Sequence, residues 1–187
     1  MGVVGAAHSP AATACSAGTA AGADPFDLEA RFVEKHRRYF KQAFEEIMRG
    51  HKASCWSWYI FPTAPMVVNG RERGSPHNRE FALRDVPPAG LRGDSAARAY
   101  LRFAEIDGVS LRRNYIAIMS EVAKQLETGV TPYRLVGGDV PRLKASLELF
   151  ERVAGEDDFD IEVHELSSRA LLAMEKTTAD AAAARRY

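Results

Sequence analysis

Between Asp24 and Gly50 the apolar residues fall at Phe32, Val33, Tyr39, Phe40, Ala43, Phe44, Ile47 and Met48. Spacings of three and four place them along one side of an α-helix. The other side carries Arg31, Lys35, Arg38, Lys41 and Glu45. A segment patterned in this way must lay one face on a core and leave the other in water, so it constrains the chain toward a helical domain. Asp24 can cap this helix, Pro25 suits its first position and Asp27 its positive end, while Arg49-Gly50 supplies a stop.

The same periodicity recurs downstream. Asp94-Ser95 opens a helix with Ala97, Tyr100, Leu101 and Ala104 inward, and Leu111, Tyr115, Ile118, Met119, Val122 and Leu126 form a longer stripe closed by Thr128-Gly129. Asp139 stands as a cap ahead of Pro141 and a helix through Leu143, Leu147 and Phe150. A last amphipathic piece runs from Phe159 to Met174. The expectation is an all-α, compact single-domain bundle of about six helices over residues 24–176. Residues 1–23 are Ala/Gly/Ser-rich without Lys, Arg, Asp or Glu, which predicts a disordered tail. Residues 177–187 read as a frayed C-terminal end.

Composition narrows the function. The chain has 187 residues, 46% of them hydrophobic, with 25 basic and 25 acidic groups. A domain of this size buries about 70% of its unfolded surface and needs no disulfide. Neutral overall charge argues against nucleic acid as a partner. No apolar run reaches about 18 residues, so no membrane span is expected. The leading segment lacks the features of a secretory or organellar signal, and Ala6 stands where myristoylation asks for Ser or Thr, so the expected location is cytoplasmic. Cys15 and Cys55 form no CxxC, and His8, His36, His51, His77 and His164 form no HExxH, so neither a metal nor a cofactor is expected. No GxSxG or GxxxxGK[ST] is present.

One segment stands apart. Residues 52–62, KASCWSWYIFP, crowd Trp56, Trp58, Tyr59 and Phe61 together before a proline. This predicts a short helix or extended turn against the first helix. The rings can serve as core. Alternatively one of them walls a pocket for a planar base or sugar, with Lys52 meeting a phosphate. Residues 63–80 follow, rich in Pro, Gly and Asn and carrying Arg71, Arg73 and Arg79, and read as a long exposed loop; 86–94 is a second break. The pair Arg112-Arg113 and Lys144, with Ser146 near a helix start, are further anion donors or simply solvated charges. Glu80, Asp85 and Asp139 are the carboxylates placed to act as a base. Cys55 reads as buried and inert, although His51 lies one helical turn away.

In order along the chain, DPFDLEARFV, GHKASCWSWYIFP, SPHNREFAL, ARAYLRF and DVPRLKASLELF resemble the DUF1810 family of small helical proteins of uncharacterised role. The resemblance spans about residues 24–155 and is most specific at Lys52, Ser54, Trp56, Trp58 and Phe61-Pro62. Where the family has Ser-His-Trp this chain has Ser54-Cys55-Trp56, and Thr63 replaces the Gln that follows Phe-Pro. The resemblance implies an all-α fold and a pocket, without a reaction. The aromatic block followed by an SP-containing segment also looks like the arrangement in helical NADAR proteins, which act on ADP-ribose-type N-glycosides.

The function expected is therefore a pocket for a phosphorylated, nucleotide-like small molecule of ADP-ribose type. Trp56 or Trp58 would stack on the ligand, Lys52, Arg79 and Lys144 would meet phosphate, and Ser54 or Ser75 would orient it. N-glycosidic hydrolysis would need a carboxylate, Glu80 or Asp85, beside an attacking water, and no catalytic residue is assigned. The alternative is a non-catalytic protein–protein interaction module in which the tail and the 63–79 loop contact an unknown partner.

Overall fold

The computed structural model describes residues 1, 24–86 and 90–184. The expected tail, apart from Met1, lies outside the described residues, as do positions 185–187. The all-α expectation holds: helices dominate and one two-stranded hairpin is added. The first helix starts later than Pro25. Asp27 takes a left-handed conformation (φ 54°), and a wide turn, Glu29–Val33, leads into α1, Glu34–Met48. Asp24 still caps, accepting the Glu29 N–H at 2.9 Å. Gly50 closes the helix as expected, at φ 72° with its N–H on Ile47 O.

The aromatic block folds as one turn, α2 (Ser57–Ile60), against α1. The segment read as a loop contains more order than expected. Asn69 and Gly70, both at positive φ, turn the hairpin of β1 (Val67–Val68) and β2 (Arg71–Glu72), the two-residue turn that Asn-Gly favours. Ser75 then caps α3 (Pro76–Glu80). The ends of this excursion are tied down. Thr63 bridges Ala82 and accepts the Leu83 N–H at 2.9 Å, and Arg84 binds Glu72 with Nε at 3.2 Å.

α4 (Asp94–Arg102), α5 (Leu111–Glu127), the short α6 (Pro132–Val136), α7 (Val140–Gly155) and α8 (Ile161–Ala184) follow. Their inward stripes follow the sequence reading except at three positions: Ala104 lies beyond α4 and is exposed, and Ile161 and Leu172 of the last amphipathic piece, expected inward, face solvent. α5, α7 and α8 pack together, α1 lies across α5, and Tyr115 sits 4.3 Å centroid to centroid from Phe150 at the centre. α8 continues past the limit expected at residue 176, with Thr177 buried and its hydroxyl donating to Leu126 O at 3.1 Å. Arg112 and Arg113 meet protein acids here: Arg112 grips Asp160 and Glu162 of the α8 start at 2.7 Å, and Arg113 pairs with Glu105. These pairs satisfy the guanidinium groups within the fold. Among the described residues no helix is long and apolar enough to cross a membrane.

Candidate functional site

The site begins with a carboxylate on the inner face of α1. Glu46, 5% exposed, sits one turn from Ala43 and beside Ile47, so helical periodicity carries it inward. There it accepts the Ala53 N–H at 2.8 Å, the Ser54 N–H at 3.1 Å, the Ser54 hydroxyl and the Trp56 indole N–H at 2.8 Å. Burial pushes its pKa up, but these donors outweigh burial and hold it down at about 2. A fixed anion thus shapes the backbone of residues 53–56. Trp56 ends 1% exposed, edge-on to Phe61. Trp58, two residues on, is only half-buried and turns to the other side of α2, where its indole N–H donates to Asn78 Oδ1 at 2.9 Å.

On that side lies a cleft of about 700 Å³. Trp58, Thr63 to Met66, Ser75 and Asn78 form one side, and Gly138, Asp139 and one face of α7 from Pro141 to Arg152 form the other. Its charges are paired with one exception. Asp139 binds Lys52 at 2.8 Å, Glu148 meets Lys144 at 3.5 Å and Arg152 pairs with Asp94. Arg142 has no carboxylate partner among the described residues. Its Nη2 donates to Asn78 Oδ1 at 2.6 Å, and its Nη1 is buried without a hydrogen bond. Burial lowers its pKa, partly countered by the charge of Asp139. An unsatisfied charged donor carries a desolvation cost, which an anion in the cleft relieves when the side chain turns to open Nη1 to it.

Two orientations in the cleft are set by the protein. Asn78 Oδ1 accepts from both Trp58 and Arg142, which fixes the amide with its NH₂ pointing away from both. Asp139 Oδ2 takes both the Ser57 hydroxyl, at 2.7 Å, and the Lys52 ammonium. Among the described residues no donor reaches its Oδ1. Burial raises the Asp139 pKa, yet the bonds from Lys52 and Ser57, with the charges of Lys52 and Arg142, hold it below the usual carboxylate range. Asp139 does not cap α7 with its side chain, because Lys52 and Ser57 draw the carboxylate toward α2.

Of the residues expected at a site, the cleft gathers Trp58 and Ser75, and Lys52 reaches its edge through Asp139. Ser54 and Trp56 are held by Glu46 on the far side of the block. Arg79 is exposed and outside the lining. Lys144 is turned about 100° around α7 from Ala145 and lines a separate hollow with Glu151 and Ser168. The expected convergence of Lys52, Arg79 and Lys144 does not occur. Glu80 is exposed and paired with His77. Asp85 is committed to the start of α4, accepting N–H groups of Gly93, Ser95 and Ala96. Cys55 is exposed, not buried.

Sequence reasoning missed Arg142, Asn78, Ser57 and Glu46. Arg142 precedes by one turn the Ala145 and Leu149 face of α7, a signal the helical pattern already contained.

No curated protein matches the chain. The crystal structure of the conserved hypothetical protein Rv1873 from Mycobacterium tuberculosis is similar, with a TM-score of 0.60 and 23% identity over 83% of this chain and 96% of that one. This likeness is one of fold. The family model described as a protein of unknown function, DUF1810, matches residues 25–170, a span containing both sides of the cleft, and the chain belongs to that family.

Proposed function

We propose that the cleft beside Trp58 binds a phosphorylated, base-containing small molecule, with Arg142 meeting the phosphate. The observation that carries this reading is the charge balance: Arg142 is the lining cation without a carboxylate partner, and its Nη1 is unsatisfied. The start of α7 adds the positive end of a helix dipole. Apolar groups of Pro65, Met66, Pro141 and Leu149 line the remainder, and the half-buried Trp58 ring offers a surface for a base. Ser75 stands at the rim. Cytoplasmic residence belongs to the same reading, since phosphorylated metabolites concentrate there.

Cleavage of an N-glycosidic bond in this cleft would fall to Asp139 or Glu148, because Glu80 and Asp85 are engaged elsewhere. The test is a thermal-shift titration with AMP and ADP-ribose. Millimolar ligand raises the Tm of the wild type, and Arg142→Ala removes the shift while leaving a folded protein. Absence of any shift in the wild type sinks the proposal.

The interaction-module reading retains one favourable observation: Met66, Val67 and Val68 at the hairpin are 52%, 43% and 46% exposed. Replacing Val67 and Val68, which lie outside the cleft lining, with Thr leaves ligand-induced stabilisation intact if the cleft is the functional element.

A further inference from the structure

Two neighbouring groups of the cleft differ in what they lack, and the difference specifies a ligand. The Arg142 guanidinium has no anion among the described residues. One turn before it, Asp139 Oδ1 accepts no hydrogen bond from the described residues, while Oδ2 takes both Lys52 and Ser57. Lys52 already neutralises the Asp139 charge at 2.8 Å. A ligand ammonium would therefore add a second cation to a compensated pair, next to Arg142. A neutral O–H donor satisfies Oδ1 without that repulsion.

Resting on the reading of the cleft as an anion site, we infer that Asp139 is its specificity residue: it accepts a hydroxyl of a phosphorylated sugar whose phosphate sits on Arg142, which Asn78 holds in place. Lys52 and Ser57 are positioning residues that hold Oδ2 and so present Oδ1. The ligand class is thus a sugar phosphate, free or as part of a nucleotide, in preference to inorganic phosphate or an alkyl phosphate.

Isothermal titration with the full chain tests this, using ribose 5-phosphate, n-pentyl phosphate and inorganic phosphate as probes. Pentyl phosphate matches the sugar in carbon number and has no hydroxyl. Ribose 5-phosphate should bind about tenfold or more tightly than either, the size of one hydrogen bond to a charged group. Asp139→Asn should abolish the preference of ribose 5-phosphate over pentyl phosphate, read as the ratio of the two affinities within the variant, and the ligand comparison stands on its own if the variant folds poorly. Equal affinity for ribose 5-phosphate and pentyl phosphate, with an Arg142→Ala variant that binds neither, overturns the hydroxyl assignment and keeps the anion site. No binding of any probe, or binding indifferent to Arg142→Ala, overturns both.

Discussion

The Glu46 carboxylate accepts the indole N–H of Trp56 at 2.8 Å inside the fold. The contact joins the middle of α1 to the aromatic block, and it decides which of the two tryptophans is core. With Trp56 drawn in by Glu46, Trp58 is left to the cleft.

Glu46→Gln should therefore be costly. The substituted amide turns an NH₂ toward donors that need an acceptor, and a loss of about 3 kcal/mol in urea unfolding is expected. The pH dependence identifies the cause. The folded carboxyl titrates at about 2 and its ordinary value is 4.5, so its contribution is whole above pH 4.5 and is lost as pH falls toward 2. The wild type should show that acid slope, and Glu46→Gln should lack its share. Parallel slopes in the two proteins contradict this account.

His36 gives a second acid-sensitive element at higher pH. It is 2% exposed. Its Nε2 lies 2.9 Å from Tyr59 O and its Nδ1 3.1 Å from the Asn114 amide, the pattern of a neutral ring donating through Nε2 and accepting at Nδ1. Burial lowers its pKa to about 4, against a small opposing effect of the Tyr59 carbonyl. The unfolded chain takes up the proton first, so stability declines as pH drops from 6.5 toward 4, by up to roughly 3 kcal/mol. NMR titration of the His36 ring should show no protonation above pH 5.

Two glycines with similar backbone angles should respond differently to alanine. Gly93 has φ 77°, and a Cβ there would lie 2.4 Å from Leu83 O and 3.1 Å from the Ala64 Cβ. Gly129 has φ 93° with nothing within 4 Å. Gly129→Ala should cost about 1–2 kcal/mol, the left-handed penalty alone. Gly93→Ala must also displace backbone next to the cleft and should cost at least about 2 kcal/mol more. Denaturant midpoints for the pair decide it; equal values would show that the Leu83 segment yields freely.

The tryptophans offer a functional contrast. Trp56→Phe removes one of three donors to Glu46 Oε2 and leaves a void in the core, and should lower stability by about 2 kcal/mol. Trp58→Phe removes only a half-buried N–H and should alter Tm by a few degrees at most. It also removes one of the two donors that hold Asn78 against Arg142, so ribose 5-phosphate affinity should fall about fivefold or more while the fold persists. Unchanged affinity would remove Trp58 and Asn78 from the binding scheme.

The helices were legible because each buries a stripe that recurs every three to four residues, and Tyr115, Ile118, Met119 and Val122 leave no alternative face. The hairpin was signalled by Asn69-Gly70, but strands of two residues are too short to show alternation. The division of labour between Trp56 and Trp58 was not legible, since it depends on Glu46 and Asn78, which lie 10 and 20 residues from their respective partners. Lys144 looked the better anion donor by its distance from the helix start. Its position around the helix axis, not along it, sends it to another hollow and leaves Arg142 in the cleft.

The clamps at the two ends of the 63–84 excursion carry an evolutionary consequence. Thr63 is stitched to Ala82 and Leu83, and Glu72 is clasped by Arg84, so the protruding turn between them is mechanically isolated from the bundle. Relatives can lengthen, shorten or recompose residues 66–71 without disturbing the helices behind. Ligand preference within the lineage is then free to diversify at the mouth of the cleft while Arg142 and Asp139 stay in place.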